Sequence, residues 1–371
     1  MKNESVRVDG ILAGLRYLFI VQGEGRGHMT QAIVLKHLIE KAGGTVVHAL
    51  VGKSRHREIP DYFSGEFAGI ATPFEAINFV PRAGHRSVGL TSTVFLSFVN
   101  LPAYVRSIKT INRVVADCKP DVIVNFYEVL GGLARVFRRS IPVVCIAHQY
   151  SFLHPDFKFP AGHAGKIFWL KFFTRMTALN ATKQIALSFY PMPEVRTPRL
   201  VVVPPLLKEK VRKATSAAED FILVYLLNYG YGEDLISWHK SHPGVRVWCF
   251  WDKPDAPEEW RLGENLVFHR INEEKFVERL CRCKGLISTA GFESVAEALY
   301  LKKPVCVVPV SGHIEQLFNA FDIHEHGIGL AEDRFDFDRF TQYIDGTKEH
   351  SLFREWMTRY GDEIIQHLQT L

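Results

Sequence analysis

Long uncharged runs are scarce in this sequence of 371 residues. Ser87–Val105 comes closest, but Gly89, Thr91, Ser92, Thr93, Ser97, Asn100 and Pro102 interrupt it. Such polar and helix-breaking groups argue against a membrane span. Basic residues form no long run, and a net charge of +5 is modest, so nucleic-acid binding is not signalled. The opening MKNESVRVDG lacks the basic n-region and small-residue cleavage site of a secretory signal. The expected location is therefore the cytoplasm, with contact at the inner face of the cytoplasmic membrane as the only membrane involvement. The six cysteines (Cys118, Cys145, Cys249, Cys281, Cys283, Cys306) are scattered through apolar runs, the pattern of reduced core thiols. Cys281 and Cys283 lie two apart on a predicted helix, hence on different faces, which is poor zinc geometry. No repeat of solenoid length is present.

What is present is a regular alternation. Apolar residues make up 47% and charged residues 23%, ordinary for a globular chain, and the length favours two domains of roughly 150–200 residues. Tyr17–Val21 is a predicted strand, Thr30–Ala42 a helix closed by Gly43-Gly44, and Val46–Val51 the next strand. Asp121–Phe126 is another strand, Leu130–Arg138 a helix, and IPVVCIAH a strand that delivers His148 at its carboxyl end. Pro204-Pro205 and LKEKVRKATSAAED form a linker, after which the pattern restarts with FILVYLLNYGYG, Val245–Trp251, Leu266–His269, KGLIS and PVCVVPV. Strands alternating with helices imply parallel sheets in an α/β fold. The expectation is two Rossmann-like halves, residues 1–206 and 220–371, joined by a linker at 207–219, with the last helix packing back on the first half.

Ligands of open α/β sheets bind beyond the carboxyl ends of the strands. Four stretches occupy such ends: Gly23–Thr30, Glu128 with His148, Asn228–Gly232, and Thr289–Glu297. In STAGFESVAEALYLKKP a strand stops at Ser288, small residues let backbone approach a ligand, and a helix starts near Phe292. Its free N–H groups and dipole suit a diphosphate. Glu297 stands one to two turns along, where a carboxylate could accept ribose hydroxyls.

TAGFESVAEALYLKKPVCVVPV followed by GHIEQLFNA resembles the donor half of GT-B glycosyltransferases. The likeness is to the group of the peptidoglycan N-acetylglucosaminyltransferase and plant monogalactosyldiacylglycerol synthase, glycosyltransferase family 28-like. The shared positions are Ala290-Gly291, Glu297, Lys303-Pro304, Val305–Pro309, Gln316 and Asn319-Ala320, with Lys303 standing where the group carries a glycine. The resemblance implies a nucleotide-sugar donor, by family default UDP-linked. Thr289, Ala290, Gly291, Phe292, Glu293 and Ser294 would face its phosphates, Glu297 its ribose, and Glu315 or Gln316 its sugar, with Asn319 beside them. Asn228, Gly230 and Gly232 stand where the group has a second phosphate loop, and Arg270 at a neighbouring strand end joins the donor residues. GEGRGH resembles the group's first glycine-rich loop, which faces the acceptor; Gly25, Arg26, Gly27 and His148 are the acceptor-side residues.

An inverting transferase needs a base for the acceptor hydroxyl proton. His28, Glu128 and Glu24 are the candidates, His28 favoured because imidazole titrates near working pH. Each has a plain structural alternative: His28 and Glu297 as ordinary helix residues, Arg26 as a solvated side chain, His148 as a core histidine. Asp336-Phe337-Asp338 has metal-site spacing, but N-capping acids explain it better; no metal or cofactor is expected. In GKIFWLKFFTRMTAL, Lys171 and Arg175 share a helix face beside Phe168, Trp169, Phe172 and Phe173. That pattern suits either an interfacial helix or burial against the first sheet. Residues 89–105 and 165–179 are thus the two places for membrane contact with a lipid-linked or cell-envelope acceptor.

Two other functions share this fold or site. A non-hydrolysing UDP-sugar 2-epimerase needs no acceptor, and a non-catalytic partner subunit of a membrane transferase would bind nucleotide sugar without turnover. A NAD-dependent dehydrogenase fits badly, because GEGRGH lacks the GxGxxG spacing.

Overall fold

The computed structural model describes residues 10–54, 58–77, 100–134, 140–179, 181–195, 199–226, 229–253, 255–335, 337–346 and 351–371. In the first half, strands β1 (Arg16–Gln22), β2 (Thr45–Lys53), β3 (Ala71–Glu75), β4 (Val122–Phe126), β5 (Val143–Ala147), β6 (Lys183–Leu187) and β7 (Leu200–Val203) form one sheet. Its order is β3-β2-β1-β4-β5-β6-β7, and every pairing is parallel. Helices α1 (Arg26–Lys41), α2 (Asp61–Glu66), α3 (Leu101–Cys118), α4 (Val129–Ala134) and α5 (Ala164–Thr177) connect the strands.

The second half repeats the plan. Strands β8 (Ile222–Leu226), β9 (Val247–Trp251), β10 (Glu259–Arg261), β11 (Leu266–Arg270), β12 (Gly285–Ser288), β13 (Val305–Val307) and β14 (Leu330–Ala331) run in the order β10-β11-β9-β8-β12-β13-β14. Only β10 is antiparallel to its neighbour. Helix α6 (Glu209–Lys213) lies between the halves, followed by α7 (Gly232–Ser241), α8 (Glu273–Arg282), α9 (Phe292–Tyr300), α10 (Ile314–Glu325), α11 (Phe337–Gly346), α12 (Ser351–Met357) and α13 (Asp362–Gln369).

Burial on both faces explains the uninterrupted apolar strands: every residue of β4 and β5 is buried. Helix α1 turns Met29, Ala32, Leu35 and Ile39 into the core, each fully buried. At about 1.5–3 kcal/mol for each large side chain, this face alone fixes the helix on the sheet. Gly43, at φ 88°, ends it in the left-handed region.

The start of α1 corrects the sequence reading. The helix begins at Arg26, four residues before the expected Thr30, because Gly25 takes the extended N-cap conformation and donates its N–H to Gln22 Oε1 at 3.3 Å. Arg26, Gly27 and His28 therefore sit in a helical turn and not in a loop. The linker is also more structured than its polarity suggests, since Leu206, Leu207 and Val211 are buried. After the second sheet the chain returns to the first: Trp356 Nε1 donates to Ser188 O at 2.8 Å, and Lys183 Nζ donates to His367 O at 3.0 Å. One buried apolar cluster holds residues of both halves, Tyr17, Leu35, Leu223, Phe292 and Ile365 among them. Among the described residues no helix is long and apolar enough to cross a membrane.

Candidate active site

Both sheets send their strand ends toward one cleft. On the first side β1 ends at Gln22, and Gly23 passes so close to β2 that a Cβ would lie 2.7 Å from Gly52 O. His28, in the first turn of α1, is buried, and its ring stacks on Tyr127 with centroids 5.5 Å apart. Tyr127 holds that place from a left-handed backbone (φ 60°), with its hydroxyl 2.8 Å from Thr174 Oγ1. Non-glycine residues in that region store strain, a common feature of functional sites. Nδ1 of His28 lies 3.4 Å from Gln31 Oε1, and Gln31 Nε2 donates across the cleft to Glu293 Oε1. Burial lowers the His28 pKa, with Glu315 and the Gln31 bond pulling the other way, so the imidazole is neutral at pH 7.

The two nearby carboxylates differ. Glu128 is buried, accepts Leu130 N–H at 3.0 Å, and is pushed up to about 8, by desolvation first and by the Glu24 charge in addition. Desolvation thus favours its protonated form. Glu24 accepts the Ser54 N–H at 2.6 Å. Arg26 reaches toward the second half, Nη2 standing 4.0 Å from Asp252 Oδ1, while its buried Nε has no hydrogen-bond partner among the described residues.

On the other side β12 ends at Ser288. Gly291 caps α9 in an extended conformation with no side-chain hydrogen bond to the helix N–H groups. Thr289 is buried and its hydroxyl has no partner among the described residues, a costly omission that a polar ligand would repair. Glu293 is half-buried and pushed up to about 7, mainly by desolvation. Ser294 Oγ lies 3.3 Å from Ser288 Oγ. Glu297 is buried beside the linker: Lys208 Nζ lies 3.2 Å from its Oε1 and 3.4 Å from Glu273 Oε1. Burial raises the Glu297 pKa while Lys208 opposes that rise. For Lys208, burial is outweighed by Glu297 and Glu273, which hold its ammonium above the usual lysine value.

Helix α10 closes the cleft. Glu315, half-buried in its first turn, is near enough for its charge to act on His28, His148 and Glu293. Gln316 Oε1 accepts Val310 N–H at 2.9 Å. Asn319 Nδ2 donates to Ala290 O at 3.0 Å, and its Oδ1 lies 3.0 Å from His148 Nε2. The other ring nitrogen of His148 is 2.8 Å from Leu187 O, and the ring stacks on Phe292 at 4.0 Å. His148 is thus a clasp between the halves, with both nitrogens engaged.

Arg270 is exposed, its guanidinium 3.9 Å from Glu258. Gly230 sits in a 3-10 turn, and Gly232 opens α7 where a Cβ would come 2.7 Å from the Trp251 ring. Asn228 and Asp336 lie outside the described residues, as do residues 89–99; Asp338 accepts Trp238 Nε1 at 3.0 Å. The glycine-like position before Pro304 is Lys302, at φ 60°, and not Lys303, whose Nζ donates to Ala217 O. Helix α5 leaves Phe168, Trp169 and Phe172 exposed at 62, 53 and 46%, so these three are not buried against the sheet. Among the described residues no group of three or more His, Cys, Asp or Glu could hold a metal ion. Sequence reasoning missed Gln31, Tyr127, Lys208 and Asp252, whose partners are remote in the chain; only the i, i+3 spacing of His28 and Gln31 offered a signal.

Two Rossmann-like domains with glycine turns facing one cleft are the architecture of the GT-B glycosyltransferases. The sequence model of glycosyl transferase family 1 matches residues 15–346, and the chain belongs to that family. It is 25% identical over 340 residues to an uncharacterized glycosyltransferase of Methanosarcina acetivorans, covering 85% of each chain. Among solved structures it is similar to the glycotransferase of kitacinnamycin (TM-score 0.63, 17% identity, 95% of this chain and 98% of that one). It is also similar to Arabidopsis thaliana UGT89C1 complexed with UDP (TM-score 0.59, 14% identity, 96% and 100%).

Proposed function

We propose that this glycosyltransferase moves a hexosyl or N-acetylhexosaminyl group from a UDP-linked donor to an acceptor hydroxyl, with inversion and without a metal. The observation that carries this reading is the buried imidazole of His28, which burial shifts toward its neutral form, facing the uncapped turn of α9 across the cleft. The donor diphosphate lies on the Thr289–Ser294 turn, where the α9 N–H groups and the unpartnered Thr289 hydroxyl await acceptors. His28 takes the proton as the acceptor oxygen bonds to the anomeric carbon. The bond to the diphosphate oxygen breaks with its electron pair, and the leaving charge falls on the α9 turn and Arg26. Glu315, Gln316 and Asn319 border the sugar, and Glu297 the ribose. The uridine choice is supported by the UDP complex of the Arabidopsis relative and by the resemblance of the donor motif.

The acceptor is proposed to be lipid-linked or a cell-envelope glycan, met at the inner face of the cytoplasmic membrane. Phe168, Trp169 and Phe172 stand exposed on α5 beside Lys166, and Leu101 and Val105 are exposed on α3. From α5, Phe173 reaches Tyr127 (5.9 Å between centroids), the ring on which His28 stacks. The same helix thus carries exposed aromatic rings and a ring that touches the support of the base.

Thermal-shift and calorimetric screening against nucleoside diphosphates and nucleotide sugars tests the donor. UDP compounds should stabilise the protein, and stabilisation by none of the panel removes the proposal. Turnover should persist in excess chelator; its abolition overturns the metal-free step. Accumulation of an epimerised donor without an acceptor favours the epimerase instead.

A further inference from the structure

The His28 ring is one end of a three-residue chain whose other end belongs to the opposite domain. Gln31, one turn along α1, lies between His28 Nδ1 and the carboxylate of Glu293 in the first turn of α9. Gln31 is itself buried, so its amide cannot turn to water. Above about pH 7, where Glu293 is ionised, its carboxylate only accepts, hence it takes the Gln31 Nε2 end and leaves the Oε1 end facing His28. An amide oxygen also only accepts, so the hydrogen between the two must sit on His28 Nδ1. Nε2 is then bare. Gly27 makes the approach possible, since a Cβ there would strike the Glu293 carboxylate.

We infer that Gln31 and Glu293 are positioning residues for the base: Glu293, supplied by the donor domain, orients the Gln31 amide, which fixes the proton on His28 Nδ1 and leaves Nε2 as the proton acceptor. The inference rests on His28 being the base of the proposed transfer. No proton travels through Gln31, which conveys orientation alone; the acceptor hydroxyl proton ends on Nε2. A base oriented by a third group is the general logic of activated hydroxyl chemistry. Here the third group arrives only when the donor domain is in place, so separation of the domains would leave the base unoriented and spare the donor from hydrolysis. The other charged or titratable groups bearing on His28 are Glu315 of α10 and His148 after β5, with the Tyr127 ring against its face. Glu315 and Glu297 bear on Glu293.

The test is nitrogen NMR of the full chain labelled with 15N-histidine, with His28 identified by its loss in His28→Gln. Above about pH 7, where Glu293 is ionised, the unsubstituted protein should show a neutral ring protonated on Nδ1. Gln31→Met should abolish that preference, Glu293→Ala should weaken it, and Glu293→Gln should keep it, because an amide oxygen still accepts from Gln31. The exchange Gln31→Glu with Glu293→Gln sets a carboxylate against Nδ1, and should keep the tautomer while raising the pH at which His28 titrates. A ring protonated on Nε2 in the unsubstituted protein, or a tautomer indifferent to Gln31→Met, overturns the inference. These readouts do not depend on nucleotide binding, so failure of the transferase reading is separately visible. With water as acceptor, UDP release from UDP-N-acetylglucosamine should lose about tenfold in kcat in Gln31→Met, with KM within about twofold. A rise in KM with kcat intact would contradict the assignment.

Discussion

The turn after β1 and the turn after β12 have the same backbone and opposite contents. Each is a strand, a glycine N-cap in extended conformation (Gly25 at φ −102°, ψ 142°; Gly291 at φ −84°, ψ 142°) and a helix without a side-chain cap. The first presents an imidazole and a guanidinium, with no acid in its opening helical turn; the second presents Thr289 and Ser294 with Glu293 and Glu297 behind them. One topology therefore yields two chemistries, and the difference lies in side chains rather than in the glycines. The second turn keeps its small residues at the strand end, where the proposed diphosphate would meet backbone N–H groups. The first places its titratable ring against Tyr127, where desolvation keeps it neutral.

The largest expected effect comes from the support behind the donor turn. Lys208→Met strands the buried Glu297 carboxylate, and should cost about 3–5 kcal/mol in denaturant unfolding. Adding Glu297→Gln should recover much of that loss. If Lys208→Met is silent, the linker does not brace this turn.

On the acceptor side, Glu128 gives the opposite sign. Its pKa rises from 4.5 to about 8 on folding, so the folded state binds more protons between those values. Stability is then undiminished below pH 4.5 and declines as pH rises toward 8. Glu128→Gln should stabilise the protein above pH 8, by on the order of a few kcal/mol, and leave it unchanged near pH 4. A constant difference across pH would contradict the assigned burial.

The smallest effect on stability concerns α5. Replacing Phe168, Trp169 and Phe172 by serine should change unfolding by no more than about 0.5 kcal/mol, yet abolish co-sedimentation with vesicles of anionic phospholipid. Undiminished sedimentation would remove this helix from the acceptor path.

Much of the fold was legible because parallel strands buried on both faces leave apolar runs such as VVCIA, and helices between them keep a different period. The boundary at α1 was not, because Gly25 and Gln22 make a cap that lacks the usual Ser, Thr or Asp signal. Position 302 was misplaced by one residue because a lysine occupies the left-handed conformation that the motif assigns to glycine. His28, Glu293 and Asn319 could be singled out from local motifs, but what each touches could not. Gln31 meets Glu293 across 262 positions of sequence, and His148 meets Asn319 across 171. Contacts of that separation depend on how two domains face each other, which no local pattern encodes.

The division of labour between the two turns is tested most directly by calorimetric titration of UDP into His28→Ala and Thr289→Val. Thr289→Val removes a hydroxyl that makes no bond among the described residues, so folding should be spared while UDP affinity falls about tenfold, the worth of one hydrogen bond to a charged group. His28→Ala should bind UDP as the unsubstituted chain does, although sugar transfer drops by about 100-fold or more. Loss of UDP binding in His28→Ala, with Thr289→Val unaffected, would contradict the account.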